Sequence, residues 1–365
     1  MPEEPSLPRW IADADRILRD ASKRATTINS ATPANLSSEH ARLVDAWTRG
    51  REAAPRFAYH APGDLSALPT ALESLATAIS EDGPLGSVYA DRARELSLES
   101  RLVGAVGTPE MGPLALARYG VRDSFSAEAD ALARTWAATP RESADTVRIL
   151  SDDATDPRSL LSLVRRGVGA RRLSVRVVVT KNLAPLAAVG DGVIQIAEGR
   201  LTSARDAERT ALHEIEGHLV PQARALEQPL GIFSIGTRNG SDDQEGRALT
   251  VEQRAGFLVG SRRAELGCRH IAGRAVLDGA HFVETVRTLK ELGRETAHAV
   301  RLAVRAHRGA HEGRGGLARE IVYLPAMLRV TARIQLDPWA EDVLSRGRVS
   351  VSAASALRPY ITAKR

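Results

Sequence analysis

Two histidines five residues apart, with a glutamate directly after the first, are the side chains in this sequence best suited to chemistry. They lie in His213-Glu214-Ile215-Glu216-Gly217-His218. Imidazole nitrogens are ligands for a divalent ion such as Zn²⁺, and a glutamate beside such a site can activate water. The familiar spacing of the histidines is four, which keeps both on one helix face. A spacing of five puts them ~140° apart on an ideal α-helix. One wide π-type turn would bring them back together, and Gly217, just before His218, lowers the cost of that distortion. Tetrahedral zinc needs a third protein ligand while leaving a position for water. Residues 241–248 read as the start of another helix, with acids where its dipole favours them. Asp242, Asp243 and Glu245 are all candidates there, and spacing does not choose among them.

The elements that must position these residues can be read around them. Ser203-Ala-Arg-Asp206 resembles a capping box, and a helix over 204–225 should follow. Ahead of it, Leu173, Val175, Val177 and Val179 alternate with polar residues in strand fashion. Segments 186–189 and 193–197 flank Gly190-Asp191-Gly192 and could pair as a hairpin. Its 193–197 strand would offer an edge to which an extended peptide could add. The first 140 residues carry helical spacing over 11–25, 37–52, 65–79, 85–96 and 127–137. The texture changes near Ser143, and after Ser203 the chain reads as helical almost to its end. The expected fold is α+β, mainly helical, with a small antiparallel or mixed sheet packed against a zincin-like helix. An N-terminal helical region, 1–140, and a zinc-binding region, 141–365, are expected to form one compact unit.

Composition narrows the function. The chain has 365 residues, 43% hydrophobic and 26% charged, as soluble globular proteins have. Nothing approaches a membrane span of ~20 apolar residues, and the first 15 residues have no secretory apolar region. With Cys268 the only cysteine, no disulfide framework exists and a cytoplasmic location is expected. Cys268 itself reads as a small buried hydrophobe. The pI near 9.7 invites a nucleic-acid reading. Yet the net charge is only +5, and lysine occurs only at 23, 181, 290 and 364. Arginine usage, not a charge excess, lifts the pI. Basic residues lie beside acids without a dense patch, so neither nucleic acid nor membrane is an expected partner.

The ordered motifs resemble the microtubule-associated tyrosine carboxypeptidase family, whose bacterial members carry a Q-E-G-L-A motif. The match is His213-Glu214 with His218, then Gln228-Pro229-Leu230, Phe233-Ser234-Ile235-Gly236 and Gln244-Glu245-Gly246. Phe57-Ala58-Tyr59, Ala105-Val-Gly-Thr108 and Ala117-Arg-Tyr-Gly120 look like earlier landmarks of the family. Arg305-Ala-His-Arg308-Gly309 and Ile321-Val-Tyr-Leu324 look like later ones. The resemblance runs from about Phe57 to Val330. It implies zinc held by His213, His218 and Glu245. Two positions depart from the family pattern: its leucine is Arg247 here, and the glycine of its H-E-I-G is Glu216, with glycine moved to 217. Neither change removes a ligand.

What the resemblance implies is a zinc metallopeptidase, specifically a carboxypeptidase releasing a C-terminal, in one form aromatic, residue from a peptide or protein. Zinc would polarise the scissile carbonyl and activate water, with Glu214 as the base. A fixed cation should meet the terminal carboxylate, for which Arg305 and Arg308 are the candidates. Tyr323 could donate to the oxyanion. His40, His60, His270, His281 and His298 read as structural or exposed, while His307 and His311 could line the cleft. A second reading is a helical binding protein with a structural or silent metal site. Glu214 favours the enzyme, and a fourth protein ligand would favour the alternative.

Overall fold

The computed structural model describes residues 7–139, 147–181, 183, 185–190 and 192–362. Ser143 and Asp191, singled out above, lie outside the described residues. The chain is mainly helical, with two small sheets, and divides into two compact units.

The first unit comprises Met1–Thr139 and Arg263–Leu328. Its expected helices are present as Ile11–Arg24, Leu36–Thr48, Leu68–Ile79, Gly83–Gly104 and Ser124–Ala137. The fourth outruns its apolar pattern because charged residues are buried in it. Arg92, Glu95 and Glu99 are all buried; both glutamates pair with Arg92 and with Arg118, the latter at 2.8 Å to Glu95 and 3.2 Å to Glu99. Hydropathy spacing cannot register a buried face satisfied by ion pairs. Two short helices, Thr27–Ala31 and Met111–Tyr119, were not anticipated. The core gathers Leu43, Trp47, Met111, Phe282 and Val300, and Cys268 lies buried among them.

The second unit, Pro140–Arg262 with Arg329–Arg365, carries the sheets and the histidine motif. Strands β1 (Ile149–Leu150) and β5 (Leu201–Thr202) pair antiparallel. A three-stranded mixed sheet has the order β2 (Arg176–Thr180), β4 (Val193–Ala197), β3 (Ala187–Gly190). The expected hairpin is β3–β4, in register from Ala187–Ile196 to Gly190–Val193. β4 also pairs in parallel with β2 along its whole length. It is therefore the central strand, and the expectation that 193–197 presents an edge is corrected: the edges belong to β2 and β3. The parallel pairing takes up the side of β4 that a hairpin alone would leave open.

Alternation on β4 places Ile194 and Ile196 on one face, both fully buried. They pack in one core with Leu160 and Val164 of the helix Leu160–Ala170 and with Ala207, Ala211, Ile215 and Leu219 of the motif segment. Burying each isoleucine is worth ~1.5–3 kcal/mol relative to exposure. This packing fixes one side of the motif segment against the sheet. Among the described residues, no helix is long and apolar enough to cross a membrane.

Candidate metal centre

The motif segment begins where expected. The Ser203 hydroxyl accepts from the Asp206 backbone N–H at 3.1 Å and opens the α-helix Ala204–Leu212. From His213 to Leu219 the backbone is a π-helix, and Val220 then resumes α geometry to Ala225. The Val220 N–H bonds to the Ile215 carbonyl, five residues back. In that wider register residues five apart come back towards one face, so His213 and His218 lie side by side. Their rings lie 5.1 Å apart between centroids, and their Nε2 atoms 3.3 Å apart.

Gly217 also has a packing role at the site. Its φ is not in the left-handed region. A Cβ there would lie 2.6 Å from the Cβ of Ala248. Glycine at 217 allows the π-helix to approach the helix Gly240–Arg254 closely, and that helix carries the third donor.

Glu245 points its Oε2 at both histidines, 3.5 Å from His213 Nε2 and 3.7 Å from His218 Nε2. Of the other candidates, Asp243 is engaged elsewhere, as is the neighbouring Glu216. Asp243 accepts from Arg329 Nε at 2.9 Å and from the Val351 N–H at 2.8 Å. The Glu216 carboxylate accepts from Arg171 Nε at 2.6 Å. Among the described residues, His213, His218 and Glu245 form the group whose ligand atoms all lie within 4.8 Å of one another and could hold a metal ion.

The donor set fits zinc. Ligands at ~2.0–2.1 Å from a tetrahedral ion stand ~3.3 Å from one another. The observed edges of 3.3, 3.5 and 3.7 Å are close to that figure. Chemistry agrees with geometry, because His213 Nδ1 lies 2.7 Å from the Oε1 of Glu252. A carboxylate there requires Nδ1 to carry the proton, which leaves Nε2 facing Glu245 as the lone-pair nitrogen.

Glu252 escaped the sequence reading. It is fully buried and also receives Arg262, through Nε at 2.9 Å and Nη2 at 2.8 Å, with Arg209 at 3.6 Å. Burial opposes its charge, yet these partners hold its carboxyl well below the usual range. A signal existed: Glu252 follows Glu245 by seven residues, two helical turns along the same face.

Without metal, the site's charges pull apart. Burial works to lower His213, but hydrogen bonds to Glu245 and Glu252 outweigh it and raise it to about 9. Burial lowers His218 to about 4, although Glu245 and a hydrogen bond with Gln244 oppose the shift. Burial lifts Glu214 to about 7, with His213 opposing and Glu245 reinforcing. Glu214 is not in the ligand-type group but is coupled electrostatically to His213 and Glu245.

Arg305, Arg308 and Tyr323 lie in the first unit, assembled around Glu320. The Glu320 Oε1 accepts from Arg305 Nε at 3.2 Å and Nη2 at 3.1 Å, and Glu320 also pairs with Arg269. The Arg269 guanidinium lies 4.1 Å from the centre of the Tyr323 ring. Arg308 makes no ion pair of its own among the described residues; burial, then Arg305, lowers it to about 10. His307 is fully buried between Thr285, at 2.9 Å, and the Gly315 carbonyl, at 3.0 Å, so it is core rather than cleft. His270 pairs with Asp130, at 2.7 Å, and His298 with Glu265, at 2.5 Å.

Comparison with known proteins adds to this geometry. A family model described as microtubule-associated tyrosine carboxypeptidase matches residues 47–364, extending beyond the motifs at both ends. No curated protein matches the chain.

Proposed function

The chain belongs to the microtubule-associated tyrosine carboxypeptidase family, and from that premise we propose that it is a zinc-dependent carboxypeptidase. The observation that carries the zinc reading is the triangle of His213, His218 and Glu245, with Glu252 behind it and Glu214 beside it. Three protein donors rather than four, among the described residues, support a catalytic site over a structural one.

When bound, zinc supplies Lewis-acid polarisation of a carbonyl and makes water a stronger acid. The chain's own residues would do the rest. His213, His218 and Glu245 hold the ion. Glu252 keeps the His213 ring oriented and its Nδ1 protonated. Glu214 takes a proton from the attacking water and delivers it to the nitrogen of the leaving residue.

Removal of a C-terminal residue, an aromatic one in the form the family's name carries, requires a cation for the terminal carboxylate. Arg308 supports that role better than Arg305, whose guanidinium Glu320 already engages. Tyr323 remains the proposed donor to the oxyanion. The substrate class is a peptide or protein with a free C-terminus. Metal analysis of Glu245→Ala tests the centre. The wild type should hold one zinc per chain, and the variant should lose it on dialysis against a weak chelator. A variant that retained stoichiometric zinc would remove Glu245 from the ligand set.

A further inference from the structure

A π-turn followed by a proline leaves one carbonyl without a backbone donor. In the motif segment the Val220 N–H goes to the Ile215 carbonyl. The Glu216 carbonyl must then turn to the N–H of the next residue, but that residue is Pro221, which has none. The donor it receives comes from another helix: Arg247 Nη2, at 2.5 Å.

Arg247 is an odd residue to find there. It is buried, at 6% exposure, and its Nε has no hydrogen-bond partner. Among the described residues no carboxylate forms an ion pair with it, while burial and Arg224 lower its pKa to about 10. A buried guanidinium whose hydrogen bond is to a single carbonyl is costly to keep. Its location suggests what it does. Arg247 is two residues beyond Glu245 on the helix Gly240–Arg254, and the next residue, Ala248, is the close neighbour of Gly217. The contact therefore joins the helix of the third donor to the turn between the two histidines.

We propose that Arg247 is a positioning residue of the metal centre, supplying the N–H that the π-turn and Pro221 deny to Glu216. It thereby fixes the register in which His213 and His218 both face Glu245. The effect on metal binding rests on the zinc reading above; the effect on the turn does not.

The test uses Arg247→Met, which keeps length and removes the donor. Zinc affinity is measured by chelator competition, Co²⁺ substitution reports coordination through its visible bands, and hydrogen exchange of residues 211–225 is followed in metal-free protein. Zinc affinity should fall by ~10- to 100-fold, as for loss of other outer supports of a metal site. The Co²⁺ bands should shift, and exchange should quicken in 211–225. Arg247→Met/Pro221→Ala, which restores a backbone N–H at 221, should recover affinity and protection, and Pro221→Ala alone should match the wild type. If Arg247→Met does not fold, recovery of the fold in the double variant supports the inference, and failure to recover it overturns it. Wild-type affinity, bands and exchange in Arg247→Met would also overturn it. A wild type that bound no zinc would remove the proposed activity, and exchange in the three variants would then decide the role of Arg247.

Discussion

His213 donates its Nδ1 proton to Glu252 across 2.7 Å, and Glu252 has no solvent exposure. That bond settles which imidazole nitrogen faces His218 and Glu245. Glu252→Gln should keep an acceptor for Nδ1 but break the two-pronged pairing with Arg262 and remove the charge. Zinc affinity should drop ~10- to 100-fold with little change in far-UV circular dichroism. Chelator competition on the purified variant checks this, and undiminished affinity would deny Glu252 any part in the centre.

Arg308 carries the exopeptidase claim. Arg308→Ala should raise KM at least tenfold for peptides with a free C-terminal carboxylate while changing kcat less. Peptides with an amidated C-terminus should be poor substrates for the wild type and no poorer for the variant. Steady-state kinetics on matched free-acid and amidated peptides separate the cases. Equal cleavage of both by the wild type would leave a zinc peptidase without a carboxypeptidase's specificity.

Acid sensitivity should trace in part to Glu265. Burial raises its proton affinity, but the bond from His298 and the field of Arg301 and Arg269 prevail and hold it near about 2, against an ordinary 4.5. A carboxylate depressed in the folded state binds fewer protons there than in the unfolded chain. Its stabilising contribution is complete above pH ~4.5 and is lost as pH falls through ~2. Glu265→Gln should therefore lower Tm at neutral pH and flatten the decline of Tm between those values. Thermal melts from pH 2 to 7 give the comparison, and parallel curves would contradict it.

The parts of the site written in local spacing were legible in the sequence. The five-residue interval between His213 and His218 demanded a wide turn, and the π-helix His213–Leu219 supplies it. Ser203 marked the helix start, and the glycines between 186–189 and 193–197 marked the β3–β4 hairpin. What depends on distant partners was not legible. The parallel β2–β4 pairing joins segments separated by the β3 hairpin arm, and strand periodicity carries no information about neighbours. Gly217 read as a source of flexibility because its close neighbour, Ala248, is thirty-one residues away in sequence. Glu252 was missed, and Arg247 stood out only as a departure from the family's leucine, because a buried charge looks like a surface charge until its partners are known.

The most direct test is Glu214→Gln, assayed for metal and turnover in the same preparation. The substitution preserves shape and removes the base, and general acid–base catalysis is worth ~10² to 10⁴ in rate. Zinc-loaded wild type and variant are incubated with free-acid peptides ending in tyrosine, and the products are weighed by mass spectrometry. The expected result is loss of one C-terminal residue by the wild type. Glu214→Gln should hold the same zinc per chain and turn over at least a hundredfold more slowly. Undiminished cleavage by the zinc-loaded variant would contradict the assignment of Glu214 as the base, and with it the proposed mechanism.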